Sequence, residues 1–561
     1  MFTRLHAALI IGTLLTVLDH TEAAVIKALS VSFTDVSTAI ALAQEGDTVV
    51  IPAGSASWTA TLTVTKGITL QGASVNPADN FTVILDNVSR GGTGQGTAIK
   101  IVLNSTQSFR LTGITFRKGS ITSPETGNGV ISAGTADGIK TPCQSFRIDH
   151  CHFDQLYAQN YLGIGGWIYG VVDHCIFDGR SDGSDQAVLV MHTAWGGKEF
   201  GDGSWADYPY YGTDKFIFIE DCTFNNPNPN NQTNMSPDCY GGGRYVFRHN
   251  VINNCNGGGD HGSESSGRLR SGRCSENYNN TLNNTHGGNS GGQIRGGGVL
   301  NHDNVINGLN PPVTFITDYR EFWPFAVWGA GTGTSTSPSL AADGTSPWDS
   351  NDPQLYASGT HNGSSGAATL TDTTKNWTPN QWVGYSVKNT TQQVDIGGSY
   401  KGRYGSYIES NTATTITFHR DNTYGPAMNF NSGDGYEIRK VLRALDQGGA
   451  GKGDLLGGAP PVNTTAANTV AWPHQALEPI YFWNNTGTSG LTVTSSFPSV
   501  QQNRDYYNLG TGLPANSTPA AVSAKYVAAV NGVDYTGPYT YPHPLTSPLA
   551  PPSNLAIVNS P

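Results

Sequence analysis

The sequence has few charged residues. It lacks both basic patches and apolar runs that are long enough to span a membrane. Charged side chains make up 13% of the 561 residues, and the formal net charge is −11. Helical bundles need more Ala, Glu, Lys and Leu than this composition offers, and nucleic-acid binding needs clustered positive charge. We therefore expect no helical bundle, no nucleic-acid partner and no membrane partner.

Glycine, in contrast, is abundant at 70 residues, and Asn, Thr and Ser fill much of the remaining sequence. This mixture is typical of many short β-strands that are joined by tight turns. The apolar share of 37% is modest and suits a thin core inside a large surface. An acidic chain binds an acidic polymer only through local Arg/Lys clusters or a bridging cation.

The N-terminus has the pattern of a secretory signal peptide, which we place at residues 1–23. The short charged start MFTRLH precedes the apolar run Ala7–Leu18, and small residues follow at Ala23 and Ala24. An apolar run of about a dozen residues is too short to span a bilayer. The alternative is a buried N-terminal helix. From the signal-peptide pattern we expect a secreted, extracellular protein.

The seven cysteines include no C-x-x-C pair, which argues against a zinc ribbon. They are Cys143, Cys151, Cys175, Cys222, Cys239, Cys255 and Cys274. Secretion permits disulfides, but an odd number leaves one thiol over. The regular spacing of Cys151, Cys175 and Cys222 favours a core stack of free thiols over disulfides.

An internal repeat determines the predicted fold. Similar segments recur at 146–153, 171–177, 218–224, 246–252 and 301–306, with a degenerate copy at 278–282. Each has a Cys or an Asn at one position, namely at 151, 175, 222, 250, 280 and 304, so the steps are 24, 47, 28, 30 and 24 residues. One coil of a parallel β-helix, with three short strands and three bends, takes about two dozen residues, and the long step equals about two coils.

Two residues beyond each Cys or Asn there is an apolar residue. These residues are Phe153, Phe177, Phe224, Ile252, Leu282 and Ile306. Because side chains alternate between faces along a strand, we expect them to stack from coil to coil inside the tube. The Cys and Asn residues are expected to form an inward ladder of their own, in which Asn amides satisfy backbone groups.

The opening of the chain predicts a short capped helix at residues 34–43, which would close one end of the stack and protect its strand edges. The segments AQEGDTVVIPAG and KGITLQGAS, together with the D-H-C-x-F coils, resemble the pectate-lyase-like superfamily. The resemblance covers residues from about 30 to 310. It implies an all-β fold, a right-handed parallel β-helix or solenoid, of a kind that includes polysaccharide-cleaving enzymes.

The predicted division of the chain begins with a β-helix over residues 24–330. Residues 331–354 have the composition of a linker, and residues 355–440 read as a small β-rich module with a structural or, alternatively, a sugar-binding role. Residues 441–548 are expected to form final coils and a C-terminal strap. A short tail at 549–561 is expected to be mobile.

The densest group of ionisable residues lies between positions 260 and 276. Its members are Asp260, His261, Glu264, Arg268, Arg270, Arg273 and Glu276. β-Elimination of a uronate polymer needs a neutralised carboxylate, a base for the proton at C5 and an acid for the leaving oxygen, and guanidinium, His and carboxyl groups supply these. We predict that the first six are catalytic and that Glu276 binds substrate. The alternative is a salt-bridged ladder that holds coils together.

A second acidic group, Asp178, Asp182 and Asp185, follows a D-H-C-x-F coil, as the calcium site does in pectate lyases. The resemblance implies a bound Ca²⁺ there, and a solvated turn is the alternative. The sequence departs from the pectate-lyase pattern in the spacing of this group and in lacking the R-x-P-x-x-R segment. The N-T-D and R-I-K signatures of polygalacturonase-type glycosidases are also absent.

Two aromatic loops are predicted to bind sugar rings by stacking, with packing on the wall of the β-helix as the alternative. Their residues are Trp195, Trp205, Tyr208, Tyr210, Tyr319 and Trp323. Taken with the charged cluster, the loops favour a secreted polysaccharide lyase that cleaves a uronic-acid-containing glycan. The alternatives are a β-helix glycoside hydrolase and a non-catalytic carbohydrate-binding or adhesin β-helix.

Overall fold

The structure is a computed structural model, and it describes most of the chain after residue 22. The described ranges are 23–89, 96–121, 129–135, 141–180, 186–191, 209–227, 236–261, 271–285, 290–316, 355–383, 385–395, 401–418, 428–440, 448–452, 475–488, 490–495, 500, 502–503, 505–512, 535, 537–547 and 557–559. Within these ranges the chain is almost entirely β-strand. The helical segments are one α-helix, Phe33–Leu42, and two 3₁₀ turns, Pro77–Asp79 and Pro544–Thr546.

Three long parallel sheets dominate the fold, and neighbouring strands within each sheet come from successive passes of the chain. Sheet A has thirteen strands, in spatial order Ile557–Asn559, Val25–Lys27, Thr48–Val50, Thr69–Gln71, Ser108–Thr112, Cys143–Asp149, Ile168–Asp173, Ile217–Glu220, Arg244–Arg248, Cys274–Tyr278, Gly298–His302, Ile480–Trp483 and Tyr506–Asn508. Sheet B has ten strands, Gly54–Trp58, Thr82–Asp86, Thr115–Lys118, His152–Asp154, Ile176–Asp178, Thr223–Asn225, Val251–Asn253, Thr281–Asn283, Val305–Asn307 and Thr486–Gly487.

Sheet C and a shorter parallel sheet, sheet D, complete this arrangement. Sheet C comprises Leu62–Val64, Ile99–Leu103, Ile131–Thr135, Asn160–Gly165, Gln186–Met191 and Asp238–Tyr240. Sheet D comprises Gln293–Ile294, Val313–Ile316 and Thr492–Ser495. The chain visits sheets A, B and C or D in turn, so the prediction of an all-β protein with stacked parallel strands is confirmed, and the arrangement is consistent with a parallel β-helix.

The remaining strands are antiparallel. A six-stranded sheet with its own core is formed by Ala357–Thr360, Gly435–Lys440, Tyr385–Asp395, Lys401–Asn411, Thr415–Phe418 and Thr369–Thr371. Leu370, Trp377, Trp382 and Tyr436 belong to that core. A two-stranded hairpin pairs Ala450–Lys452 with Gln475–Leu477.

The single described α-helix begins where Ser32 accepts a hydrogen bond from the Asp35 backbone N–H, which satisfies one of the unpaired N–H groups of the first turn. Its buried residues, Val36, Ala39 and Ile40, join the main core. At the other end the Lys66 ammonium donates to the Ile40 carbonyl at 2.9 Å. A cation there is favourable because the last carbonyls of a helix carry partial negative charge. No helix in the described ranges is long and apolar enough to cross a membrane.

The inward stack predicted from the repeat is confirmed in sheet B. Phe153 pairs in register with Phe177, and Phe177 with Phe224, and each of the three is fully buried. Their rings are stacked with centroids 4.8 Å apart, which matches the spacing of neighbouring strands. Burial of these rings fixes the register of the strands, because a slip by one residue would turn all of them out to solvent.

The Cys and Asn residues form the predicted inward ladder beside this stack. The Asn250 backbone N–H and side-chain amide both donate to the side-chain oxygen Oδ1 of Asn280, each at 3.0 Å. The Asn280 amide in turn donates to the Phe247 carbonyl at 2.8 Å and to Asn304 at 3.0 Å. At the Cys end, the Cys222 N–H donates to Asn250. All seven cysteines are buried free thiols.

The residue before each ladder position has a left-handed backbone. His150, His174, Asp221, His249, Asn279, Asp303 and Asn484 all have φ between 51° and 56°. Asn, Asp and His tolerate this conformation best among residues with a side chain. The D-H-C, E-D-C and R-H-N motifs of the repeat therefore each contain a turn residue, directly before the inward Cys or Asn.

Replacing Asn280 with Ala is expected to lower the free energy of unfolding by about 1–3 kcal/mol, because the Asn250 N–H and the Phe247 carbonyl lose buried partners. Cys222→Asn is expected to cost less. The Cys222 thiol lies 3.7 Å from the Val172 carbonyl, where an amide can donate as Asn280 does. Urea denaturation of both variants tests this expectation. A Cys222→Asn variant as unstable as Asn280→Ala would contradict a continuous ladder.

Candidate functional site

A polar cavity of about 320 Å³ lies where sheet C ends and sheet D begins. Its polar lining residues are Gln186, Ser236, Asp238, Asn256, Asp260, His261, Ser290, Gln293 and Arg295. These residues come from successive passes of the chain, so the stacking of the strands brings them together.

The segment 259–261 connects the two sheets by parallel-type hydrogen bonds. On one side the Gly259 N–H donates to the Pro237 carbonyl at 3.2 Å, and the His261 N–H donates to the Cys239 carbonyl at 2.8 Å. On the other side the Asp260 N–H donates to the Gln293 carbonyl at 3.1 Å. The backbone that carries Asp260 and His261 is therefore held on both sides, which fixes the side chains relative to the cavity.

His261 forms a pair with Asp238. The His261 Nδ1 atom contacts the Asp238 Oδ2 atom, and the side-chain amide of Gln186 donates to the same oxygen at 2.5 Å. The Asp238 side chain is 7% exposed and that of His261 is 17% exposed. A carboxylate at Nδ1 places the hydrogen there and leaves the lone pair on Nε2, which is the arrangement of an oriented base.

Asp260 and Arg295 form the opposite part of the lining. The Asp260 carboxylate accepts a hydrogen bond from the backbone N–H of Arg295, and Asp260 is largely buried. The Arg295 guanidinium is half-buried, and it donates to the Gln293 side-chain oxygen at 2.7 and 3.1 Å. One cavity thus contains two carboxylates, an imidazole and a guanidinium.

Glycines around the cavity allow the backbone passes to come close together. A Cβ atom at Gly257 would lie 2.3 Å from the Gly291 carbonyl oxygen. Gly292 has φ of 101°, and a Cβ atom there would lie 2.3 Å from the Gly258 carbonyl oxygen. These contacts are too short for any other residue, which explains the glycine runs at these positions.

Of the predicted catalytic cluster, the structure places Asp260 and His261 at the cavity. Arg273 and Glu276 do not line it, since they belong to the sheet A side of the chain. The Arg273 guanidinium is buried and binds both carboxylate oxygens of Glu478, at 2.5 and 2.9 Å. The other three members, Glu264, Arg268 and Arg270, lie outside the described residues.

Glu276 is 1% exposed, and its Oε1 atom accepts a hydrogen bond from the Gly212 N–H at 2.6 Å. Its Oε2 atom is buried and has no hydrogen-bond partner among the described residues. Burial raises the pKa of the Glu276 carboxyl from 4.5 to about 7, against smaller opposing effects of the Gly212 hydrogen bond and of Arg248. This environment favours the neutral acid.

Glu276→Gln is expected to stabilise the protein at pH 8 and to change little at pH 4. A carboxyl whose pKa is raised on folding contributes stability below its unfolded pKa of about 4.5, and that contribution is lost as the pH rises through about 7. The gain in stability at pH 8 should be at most about 3 kcal/mol, because each unit of difference in pKa between the folded and unfolded states corresponds to about 1.4 kcal/mol. Urea denaturation at both pH values measures it, and an equal effect at both would contradict the neutral acid.

The predicted aromatic platforms fall mostly outside the described residues, namely Trp195, Trp205, Tyr208, Tyr319 and Trp323. Tyr210 is described and half-buried. The Lys215 ammonium lies 3.8 Å from the centroid of its ring, and the Arg244 guanidinium carbon lies 5.2 Å from it. Its ring therefore lies close to two cations, and its predicted role in sugar binding stays a prediction.

Of the predicted calcium ligands, Asp178 ends the sheet B strand Ile176–Asp178, while Asp182 and Asp185 lie outside the described residues. The Asp178 carboxylate contacts His152 Nε2 at 2.8 Å and accepts from the Asn225 amide at 2.8 Å. Burial acts to raise the pKa of Asp178, but its contacts with His152 and Asn225 outweigh burial and hold that pKa below its ordinary value.

The fold and the cavity define the class of protein: an all-β chain of long parallel sheets with a polar, partly buried cavity between two of them. The chain matches no known protein-family model and none of the curated protein sequences.

Proposed function

We propose that the chain is a secreted polysaccharide lyase built on a right-handed parallel β-helix, with the N-terminal helix as its cap. Sheets A, B and C are its three faces, and right-handed connection of parallel strands is the general rule. The observation that supports the activity is the cavity that combines the His261–Asp238 pair with Arg295.

The proposed reaction is β-elimination in a uronic-acid-containing glycan. The Arg295 guanidinium binds the uronate carboxylate and makes the proton at C5 more acidic. His261, oriented by Asp238, takes that proton at Nε2. The electron pair forms the C4–C5 double bond, the bond from C4 to the glycosidic oxygen breaks, and the His261 imidazolium gives the proton that it took from C5 to the leaving oxygen. Ca²⁺ near Asp178 remains part of this proposal as a second carboxylate-binding group.

A glycoside hydrolase is the second candidate because two carboxylates, Asp238 and Asp260, line the same cavity. Hydrolysis uses such a pair as acid and base or as acid and nucleophile. Hydrolysis consumes a water molecule and gives a new reducing end without a double bond, whereas elimination gives an unsaturated uronate. The two reactions therefore have different products.

The test is incubation of the purified protein with uronate-containing and neutral polysaccharides, with and without Ca²⁺. Absorbance near 235 nm reports the unsaturated uronate, and a reducing-end assay reports every cleavage. We expect both signals to rise on a uronate polymer. Reducing ends alone would replace the lyase by the hydrolase, and silence across the panel would replace both by a non-catalytic carbohydrate-binding or adhesin β-helix.

A further inference from the structure

A second group of polar side chains lies on sheet B, apart from the cavity residues. His152 and Asp154 stand two residues apart on one strand, and Asp178 pairs in register with Asp154 on the next strand. Because Phe153 and Phe177 point into the core, the alternating residues point to the opposite face. One ligand atom from each of His152, Asp154 and Asp178 lies within 4.8 Å of the others.

The hydrogen bonds of Asn80 determine which nitrogen of His152 carries a hydrogen. The Asn80 side-chain NH₂ donates to the Ala78 carbonyl at 2.9 Å, so its oxygen faces the other way. That oxygen accepts from the Thr115 hydroxyl at 2.9 Å and lies 2.9 Å from His152 Nδ1. Nδ1 therefore donates to Asn80, and the neutral ring has its lone pair on Nε2.

This tautomer directs a lone pair at a carboxylate. His152 Nε2 lies 2.8 Å from the Asp178 Oδ2 atom, and His152 is only 8% exposed. Two lone pairs at that distance repel each other unless a cation or a second ring proton lies between them. The pair thus requires a positive charge, and Asp154 places another carboxylate beside it.

We propose that His152, Asp154 and Asp178 bind one divalent transition-metal ion of the Zn²⁺ class. An imidazole nitrogen with two carboxylates suits Zn²⁺, Co²⁺ or Ni²⁺, whereas Ca²⁺ takes oxygen ligands. A ligating histidine usually donates its other N–H to a fixed acceptor, which is the role of Asn80. The three ligands are not among the cavity residues, and at Asp178 the Zn²⁺-class ion would take the place of the Ca²⁺ named in the proposed function.

Other neighbours hold the two carboxylates in place. The Asn225 amide donates to Asp178 Oδ1 at 2.8 Å, and the Arg117 guanidinium donates to Asp154 Oδ2 at 2.6 Å. The Asp178 side chain is 27% exposed, so an ion with three protein ligands can keep a water-bound position open to solvent. Because the ligands come from two adjacent strands, the ion would also join two passes of the chain.

The test is a calorimetric titration of the chelator-stripped, full-length protein with Zn²⁺ at pH 7.5, repeated with Co²⁺ while its visible absorption is recorded. We expect one saturable site that His152→Gln weakens by well over tenfold and Asn80→Ala by about 10–100-fold. Circular dichroism and urea denaturation without metal show whether each variant is folded. Asn80→Ala retains all three ligands, so it remains informative if His152→Gln is unstable.

The matched control is His174→Gln, which changes an exposed histidine directly after the sheet A strand Ile168–Asp173 and should leave binding unchanged. Equal Zn²⁺ affinity in wild type and His152→Gln would overturn the proposal. So would the absence of a saturable site, or Ca²⁺ binding as tightly as Zn²⁺. A hydrogen on both ring nitrogens of His152, seen by NMR with Zn²⁺ in excess at pH 7.5, would show that a proton supplies the positive charge instead.

Discussion

Replacing His261 with Gln is expected to lower kcat for cleavage of a uronate polymer by about 10²–10⁴-fold, which is the usual contribution of a positioned base. Glutamine retains a similar volume but cannot accept the proton from C5. In the proposed mechanism His261, in contact with Asp238, is the base, so its loss should reduce kcat with little change in KM. Initial rates at 235 nm over a range of polymer concentrations separate the two constants.

Two further variants show whether His261 acts through the arrangement seen in the cavity. Asp238→Asn should also lower kcat, because an amide can present its NH₂ to Nδ1 and favour the wrong tautomer. His174→Gln, which changes a residue that does not line the cavity, should keep wild-type rates. If the wild-type protein cleaves the polymer and His261→Gln does so within about threefold of the wild-type rate, the base lies elsewhere and the proposed mechanism is wrong.

Much of the fold could be predicted from the sequence because stacked parallel strands repeat the same local rule on every pass of the chain. The apolar residue two positions beyond each Cys or Asn identified Phe153, Phe177 and Phe224 as a stack, and the structure places them in register. The Asn ladder was predictable for a similar reason. A buried amide at a repeated position has few partners other than its own neighbours in the stack.

The site was predictable only in part, since its residues come from distant segments of the chain. Asp260 and His261 stood out by their charge, but Asp238 and Arg295 lie in unremarkable sequence. Their proximity depends on which strands are neighbours and on the register between sheets C and D. Long connections of variable length interrupt the repeat there, so the spacing of residues along the chain does not reveal the register.

The density of charged residues along the sequence also led to the prediction of one site from residues that lie in different parts of the structure. Arg273 and Glu276 follow His261 closely in sequence, yet they lie on the sheet A side and are buried against Glu478 and Gly212. A few residues suffice to pass from one face of a stacked coil to the next. Sequence proximity therefore predicts a shared site less well in this fold than in a helix.

The second large effect is expected at Arg248, where Arg248→Met should lower the free energy of unfolding by about 3–5 kcal/mol. Arg248 and Glu220 are both fully buried, and the guanidinium donates to the Glu220 carboxylate at 2.7 Å. Without Arg248, the carboxylate keeps the His543 N–H at 2.8 Å but loses its counter-charge. Urea denaturation followed by tryptophan fluorescence measures the loss.

Arg117→Met is the matched control, measured without metal. It removes an Arg–carboxylate pair in which the arginine side chain is 41% exposed, and such pairs contribute at most about 1 kcal/mol. The double variant Arg248→Met with Glu220→Leu should recover much of the loss, because replacing both members leaves no unpaired buried charge. If Arg248→Met is no less stable than Arg117→Met, the buried pair contributes no net stability.

Arg248 also anchors residues 537–547, which lie across sheet A as a C-terminal strap. Its guanidinium donates to the Tyr539 carbonyl at 2.7 Å and to the Thr540 carbonyl at 2.9 Å, while Arg147 donates to the Leu545 carbonyl at 2.8 Å. Arg248→Met should therefore allow proteolysis of the strap at urea concentrations below the unfolding transition. Strap cleavage that coincides with global unfolding would mean that the remaining contacts, such as those of Arg147 with Leu545 and of Glu220 with His543, hold the segment as firmly as the rest of the fold.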